Sequence, residues 1–90
     1  MKIEFEPAKS ARNANERGLP FELTAELDWH AARVWLDERR DYGEERYLAL
    51  VPMTARLYAV CYCVRSDARR IISFRKANKR EEQLYAKTFG

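Results

Sequence analysis

The spacing of apolar residues along this chain changes from a helical to an extended pattern near residue 31, then back to helical after residue 78. "KIEF" alternates apolar and polar positions and predicts a short strand. Pro7 suits the first position of a helix over residues 7–17, and Gly18 suits its end. The apolar positions of that helix are mostly Ala8, Ala11 and Ala14, so it can approach a sheet closely while burying little area. Pro20 opens a second short helix, in which Phe21 pairs with Ala25 and Leu23 with Leu27 at the four-residue spacing; Thr24 interrupts that stripe only mildly.

From residue 31 the chain reads as strands. "ARVWL" is the first, "DERRDYGEE" is a charged hairpin turning on Gly43, and "ERYLALV" follows until Pro52 and its polar successors break the run. "RLYAVCYCV" is the most β-prone segment, and its two apolar faces predict a central strand covered on both sides. "RSDAR" is a turn and "RIISF" the last strand. Asn78 and Glu81 have capping-box spacing, which starts a final helix over residues 79–88. The order β-α-α-β-β-β-β-α, with strands in sequence and helices toward the two ends, implies an α+β fold on a mostly antiparallel sheet.

With 90 residues, 47% of them hydrophobic, the chain suits a single domain over residues 1–90 with one core. No apolar run approaches the roughly 18 residues that cross a bilayer, and "MKIEFEPAK" has no apolar signal core, so the expectation is a soluble, cytoplasmic protein with no membrane partner. Cys61 and Cys63 lie two apart, on one face of a strand, which is poor geometry for a disulfide and too few ligands for zinc. They read as reduced core thiols. One histidine, His30, makes a His-based metal centre or a Ser-His-Asp triad improbable; no metal or cofactor is expected.

Charge is distributed unevenly. Residues 1–55 carry 8 Lys+Arg against 11 Asp+Glu, whereas residues 56–90 carry 9 against 3. That asymmetry favours a polyanion on one part of the surface and leaves an acidic region for something basic, although scattered solvated charge explains it as well.

The junction "ISFRKANKREEQLY" gathers the cations most densely. Strict alternation puts Ile71, Ser73 and Arg75 on one face and Arg70, Ile72 and Phe74 on the other. Arg46 lies on a neighbouring strand and alternates with Glu45. Guanidinium groups match phosphate bidentately, stay charged, and stabilise the extra negative charge of a phosphodiester transition state without help from histidine. Tyr85 suits base stacking or proton transfer, although a phenol of pKa about 10 is a poor base. Residue types alone favour a blander reading, in which Tyr85 packs on the sheet while Arg75 and Arg80 pair with Glu81 and Glu82. Beside Arg46, a carboxylate such as Glu44 or Glu45 is more readily an ion-pair partner than a base. Lys9 reads as solvated, His30 as a surface residue, and Trp29 and Trp35 as core or interface aromatics.

Three ordered pieces resemble the BrnT family of type II toxin-antitoxin toxins: "FEPAKSARNANERGLPF", "DYGEER" and "RSDARRIISFRKANKREEQLY". Together they cover nearly the whole chain, and the last is the most specific. The resemblance implies a RelE-like fold and an endoribonuclease that inhibits translation and is neutralised by a BrnA-like antitoxin through which alone it meets DNA; with arginine doing the charge stabilisation, the expectation is that it needs no metal. The resemblance suggests Lys9, Glu45, Arg46, Arg75, Lys76 and Tyr85 as candidates for the active surface without settling which are catalytic; taken with the charge pattern, the expectation is Arg46, Arg75, Glu45 and Tyr85 as catalytic residues and Lys9, Arg17, Lys76 and Arg80 as RNA-binding residues. Arg17 stands where relatives often carry histidine, so it suits a phosphate contact and not acid or base work. Glu6 stands in place of an expected Asp, and Val51-Pro52 where a glycine is common. The Arg17 substitution and the scarcity of histidine sustain a rival class: a non-catalytic subunit that binds the antitoxin and co-represses its operon.

Overall fold

A computed structural model describes residues 1–89. Five strands, β1 (Lys2–Glu4), β2 (Arg33–Asp37), β3 (Arg46–Met53), β4 (Arg56–Arg65) and β5 (Ala68–Lys76), form one sheet in the order β1-β5-β4-β3-β2. Only the β1–β5 pairing is parallel. Helices α1 (Pro7–Arg17) and α2 (Lys79–Phe89) flank the strands in sequence, giving an α+β architecture. Among the described residues no helix is long and apolar enough to cross a membrane.

The sheet is covered on both sides, as the twofold apolarity of β4 predicts. Seven consecutive β4 residues, from Leu57 through Cys63, are buried. Tyr58, Val60 and Tyr62 face a first core with Val51, Ile71 and Phe74, which Phe21 and Leu27 close from outside. Leu57 and Ala59 face a second, smaller core with Leu50, against which Trp35, Leu48 and Tyr85 pack. Phe74 is fully enclosed, and its burial stabilises the fold by about 2–3 kcal/mol.

Four local expectations are corrected. The second helix is not α-helical: residues Phe21–Glu26 form a 3₁₀ segment, and Trp29–Ala31 a second. Phe21, Thr24 and Leu27 are the buried positions, a spacing of three that belongs to the 3₁₀ helix. Thr24 Oγ1 donates to the Phe21 carbonyl at 2.7 Å, and so competes for the acceptor an α-helix would need. In α1, Ala8 and Ala11 are exposed, while polar Ser10 faces inward. Its hydroxyl accepts from Phe21 N at 2.8 Å, and Asn13 Nδ2 donates to the carbonyls of Leu19 and Phe74 at 2.6 and 2.8 Å. Asn13 therefore fastens α1 to β5 by hydrogen bonds in place of apolar area.

Pro52 does not end β3; it lies opposite Leu57 within the ladder. The pairing with β2 stops at Leu50, and the Pro52 carbonyl accepts from Asp28 N at 2.9 Å, so the missing N–H falls on the side away from β4. Finally, strict alternation fails in β5. Tyr62 lies opposite Ile71 but Cys61 opposite Ser73, so Ile72 is the extra residue of a bulge. The bulge lets Ile71 and Phe74 enter the same core, and places Ser73 and Arg75 opposite Cys61 and Ala59 on the second face.

Candidate active site

The second face of the sheet changes character along its length. One end is the apolar patch under α2; the other is a cluster of charged groups. At the boundary Asn78 and Glu81 cap α2 reciprocally, with Glu81 N donating to Asn78 Oδ1 at 2.8 Å and Asn78 N to Glu81 Oε1 at 2.9 Å. Both Glu81 oxygens also accept from Arg75, Nη1 at 2.7 Å and Nη2 at 2.9 Å. Arg75 holds the Glu81 carboxyl below its usual range, and Glu81 raises Arg75 in return. The α2 cap and the Arg75 orientation are thus set by one side chain.

Beyond that pair, Arg33, Trp35 and Asp37 of β2 share the second face with Arg46, Leu48 and Leu50 of β3 through direct register. The Asp37 side chain is 2% exposed. It accepts from Arg39 Nε and Nη2, both at 2.8 Å, from Arg39 N at 3.2 Å, and from Tyr42 Oη at 3.2 Å. The bonds from Arg39 hold its carboxyl far below the ordinary value against the opposing effect of burial. The Arg46 guanidinium lies over the Tyr42 ring, 4.1 Å from its centroid, with Nε enclosed and unpartnered.

Cys61 forms part of the floor between these groups, its Sγ 3.9 Å from Asp37 Oδ2. Burial, then the Asp37 charge, pushes its thiol up, while Arg46 and Arg39 pull the other way. Arg39 also acts on Arg75 and Glu81 through its charge, and Cys61 acts on Arg75. The guanidiniums of Arg39, Arg46 and Arg75 thus all stand on the second face, Arg39 bonded to Asp37, Arg46 stacked on Tyr42 and Arg75 bonded to Glu81. An open depression of about 320 Å³, lined by Arg39, Arg40 and Tyr42, adjoins them. Such a face suits a phosphodiester: forked donors of fixed charge, able to follow negative charge as it builds on phosphorus-bound oxygens. Among the described residues no group of three or more His, Cys, Asp or Glu is placed to hold a metal ion.

The sequence-derived candidates fall into two sets. Arg46 and Arg75 both lie on this face, Arg46 opposite Asp37 and Arg75 opposite Ala59. Glu45 is exposed just before β3, and it is Glu44 that makes the ion pair, with Arg65 at 3.4 Å. Lys76 and Arg80 are exposed at the β5–α2 junction, with Lys76 opposite Tyr58 and hence on the first-core side. Lys9 and Arg17 are exposed on α1, where Lys9 lines a separate depression with Arg12, Asn13, Glu16, Phe21 and Ile72. Tyr85 packs against the second core and donates its hydroxyl to the Ala31 carbonyl at 2.6 Å, so the packing alternative describes its place. The same alternative describes Arg75 with Glu81, but no ion pair joins Arg80 to Glu82.

Asp37, Arg39 and Tyr42 were hidden in a stretch that reads as a charged hairpin turn. One signal was available: by alternation with Arg33 and Trp35, Asp37 falls on the inward phase of β2, where an unpaired carboxylate is costly and demands a nearby cation.

Trp29 and Trp35 are both packing residues. Trp29 stacks edge-on with Tyr62 and carries the Arg69 guanidinium 4.0 Å from its centroid; Trp35 packs on the second core.

No curated protein and no solved structure matches the chain. The family model described as ribonuclease toxin, BrnT, of type II toxin-antitoxin system matches residues 5–81, a span that contains strands β2–β5, with Asp37, Arg46 and Arg75, and reaches Glu81 at the start of α2. On that match the chain belongs to the BrnT family of ribonuclease toxins of type II toxin-antitoxin systems.

Proposed function

We propose that this chain is a metal-independent endoribonuclease of RelE-like fold that arrests translation and is neutralised by a BrnA-like antitoxin, its link to DNA. The observation that carries the reading is that Arg39, bonded to Asp37, Arg46, stacked on Tyr42, and Arg75, bonded to Glu81, stand on one open face of the sheet. A ribose 2′-oxygen attacks the adjacent phosphorus, forming the 2′-O–P bond as the P–O5′ bond breaks. Glu45 takes the 2′ proton, the 5′-oxygen gains one from solvent, and a 2′,3′-cyclic phosphate remains. Arg46 and Arg75 stabilise the charge that develops on the non-bridging oxygens. Glu45 is the exposed carboxylate beside Arg46 and the proton acceptor to test by substitution. Lys76 and Arg80 extend the positive junction toward flanking phosphates, and Lys9 and Arg17 serve only an RNA long enough to reach α1.

The test uses purified chain freed of antitoxin. It is expected to cut single-stranded or ribosome-associated RNA in EDTA, and Arg75→Ala is expected to slow cutting by on the order of 10²-fold or more while the domain stays folded. Intact RNA at high protein concentration, with and without EDTA, sinks the proposal. The rival, an antitoxin-binding co-repressor without catalysis, draws on the prior engagement of Arg39 and Arg75 by carboxylates. It predicts tight antitoxin binding, operator binding by the complex, and normal growth when the chain is expressed alone.

A further inference from the structure

Asp37 poses a physical question that cleavage chemistry does not answer. A strand carboxylate with 2% of its side chain exposed pays a desolvation cost, and its partner Arg39 is 72% exposed. An exposed guanidinium returns little stability, and an apolar pair at the same positions would serve the fold as well. What the arrangement does accomplish is geometric. Asp37 takes Arg39 by Nε and one Nη2 hydrogen, and the Arg39 backbone N–H by a further bond, so a long surface side chain is fixed in one orientation. The guanidinium has five donors in a plane; with two engaged, the Nη1 hydrogens and the second Nη2 hydrogen remain as an end-on fork.

The same carboxylate reaches a second cation. Tyr42 donates its hydroxyl to Asp37 Oδ2, and the Tyr42 ring lies beneath the Arg46 guanidinium. One buried acid thus sets Arg39 directly and Arg46 through an aromatic ring, and the depression lined by Arg39, Arg40 and Tyr42 opens beside them.

We propose that Arg39 is a phosphate-binding residue of this site and that Asp37 positions it, keeping Arg46 in step through Tyr42, so that neighbouring phosphates of single-stranded RNA meet Arg39 and Arg46, with Arg75 farther along the same face. The identity of the ligand rests on the ribonuclease reading.

The experiment measures equilibrium binding of a fluorescent single-stranded oligoribonucleotide with 2′-O-methyl groups, which lacks the nucleophile and stays intact, over a range of salt concentrations. Arg39→Ala is expected to weaken binding ~10-fold at low salt, the loss of a charged hydrogen-bonding contact. It also lowers the slope of log affinity against log salt by about 0.7 for each phosphate contact removed. Asp37→Asn weakens binding when Arg39 is present and adds nothing in the Arg39→Ala background, because its effect runs through Arg39. Arg39→Ala strips the buried Asp37 carboxylate of its cation, so if either single variant does not fold, the Asp37→Asn, Arg39→Ala double variant, in which no buried charge is left unpaired, decides the matter: weakened binding with the lower salt slope is expected, and wild-type affinity and slope overturn the proposal. Wild-type affinity and slope in Arg39→Ala overturn the proposal, as does full additivity of the two substitutions or a wild-type protein that fails to bind the analogue. A wild type that binds the analogue with the expected variant pattern but leaves unmodified RNA intact overturns the ribonuclease reading and supports this one.

Discussion

Replacing Tyr85 with phenylalanine removes one oxygen atom and leaves the ring, so it separates two roles for this residue. In the structure the hydroxyl donates to the Ala31 carbonyl at 2.6 Å, tying α2 to the second 3₁₀ segment, while the ring packs against Leu50, Leu57 and Ala59. Loss of such a neutral hydrogen bond costs about 1 kcal/mol. For a domain of this size that lowers the melting temperature by about 4–8 °C. Tyr85→Ala removes the ring as well. Aromatic truncation in a core costs about 3–5 kcal/mol, and the half-buried position of Tyr85 places it at the low end. Thermal unfolding followed by circular dichroism gives the two shifts, and RNA cleavage below both transitions gives activity. The expectation is a small loss of stability for Tyr85→Phe, a large one for Tyr85→Ala, and cleavage by Tyr85→Phe within about twofold of wild type, since the lost bond contributes to the fold and not to transition-state charge. Cleavage lost in Tyr85→Phe at unchanged melting temperature refutes the reasoning and returns the phenol to the chemistry.

Acid should unfold this protein through its engaged carboxylates. Asp37 and Glu81 both have folded pKa values below their unfolded ones, so their contribution is complete above the unfolded value of about 4 and is lost as pH falls through the folded values. Melting temperature measured from pH 7 down to pH 2 is expected to fall below about pH 4, more shallowly in Glu81→Gln; an identical slope in that variant removes Glu81 from the account. Cys61 and Cys63 are both buried, and burial raises the Cys61 thiol, so disulfide-exchange reagents at neutral pH should label neither until denaturant is added; fast labelling of the native protein contradicts this. Gly18 closes α1 at φ 72°, with its N–H on the Ala14 carbonyl at 2.9 Å. Gly18→Ala meets no neighbouring atom but pays about 1 kcal/mol for the left-handed backbone, readable as a melting shift; no shift means the cap relaxes.

What could be read from the chain, and what could not, divides by range. The strand succession, the Gly18 stop and the Asn78–Glu81 cap depend on neighbours a few residues apart, and the unbroken apolar run of β4 announces its central place without knowledge of its partners. The 3₁₀ segments escaped because Phe21–Ala25 and Leu23–Leu27 mimic a helical stripe, and only burial of Thr24 distinguishes a period of three. The β5 bulge escaped because both Ile71 and Ile72 are apolar, so composition offers no choice of which faces inward. At the site, Arg75 and Arg46 were legible from cation density and family resemblance. Arg39 was not, since its meaning comes from a carboxylate two residues earlier whose burial depends on pairing with β3.

The two faces of the sheet divide the labour between stability and chemistry, and the bulge is what keeps them apart. On the first face Phe74, Val60, Tyr58 and Ile71 fill a core, and α1 is added through Asn13 and Ser10. With strict alternation through Ile72, Ile71 would stand with Ser73 and Arg75, and Arg70 with Phe74. One inserted residue sends both apolar side chains to the first core and leaves Ser73 and Arg75 on the second face. That face can then carry charge because its cations are organised by fixed acids: Glu81 for Arg75, Asp37 for Arg39 and, through Tyr42, for Arg46. Each acid removes part of a cation's net charge while fixing its direction, so on the proposed reading the face would orient a phosphate more than merely attract one. Orientation is the larger part of what a site without histidine can contribute, because guanidinium donors stabilise a transition state only if they already stand where charge will appear.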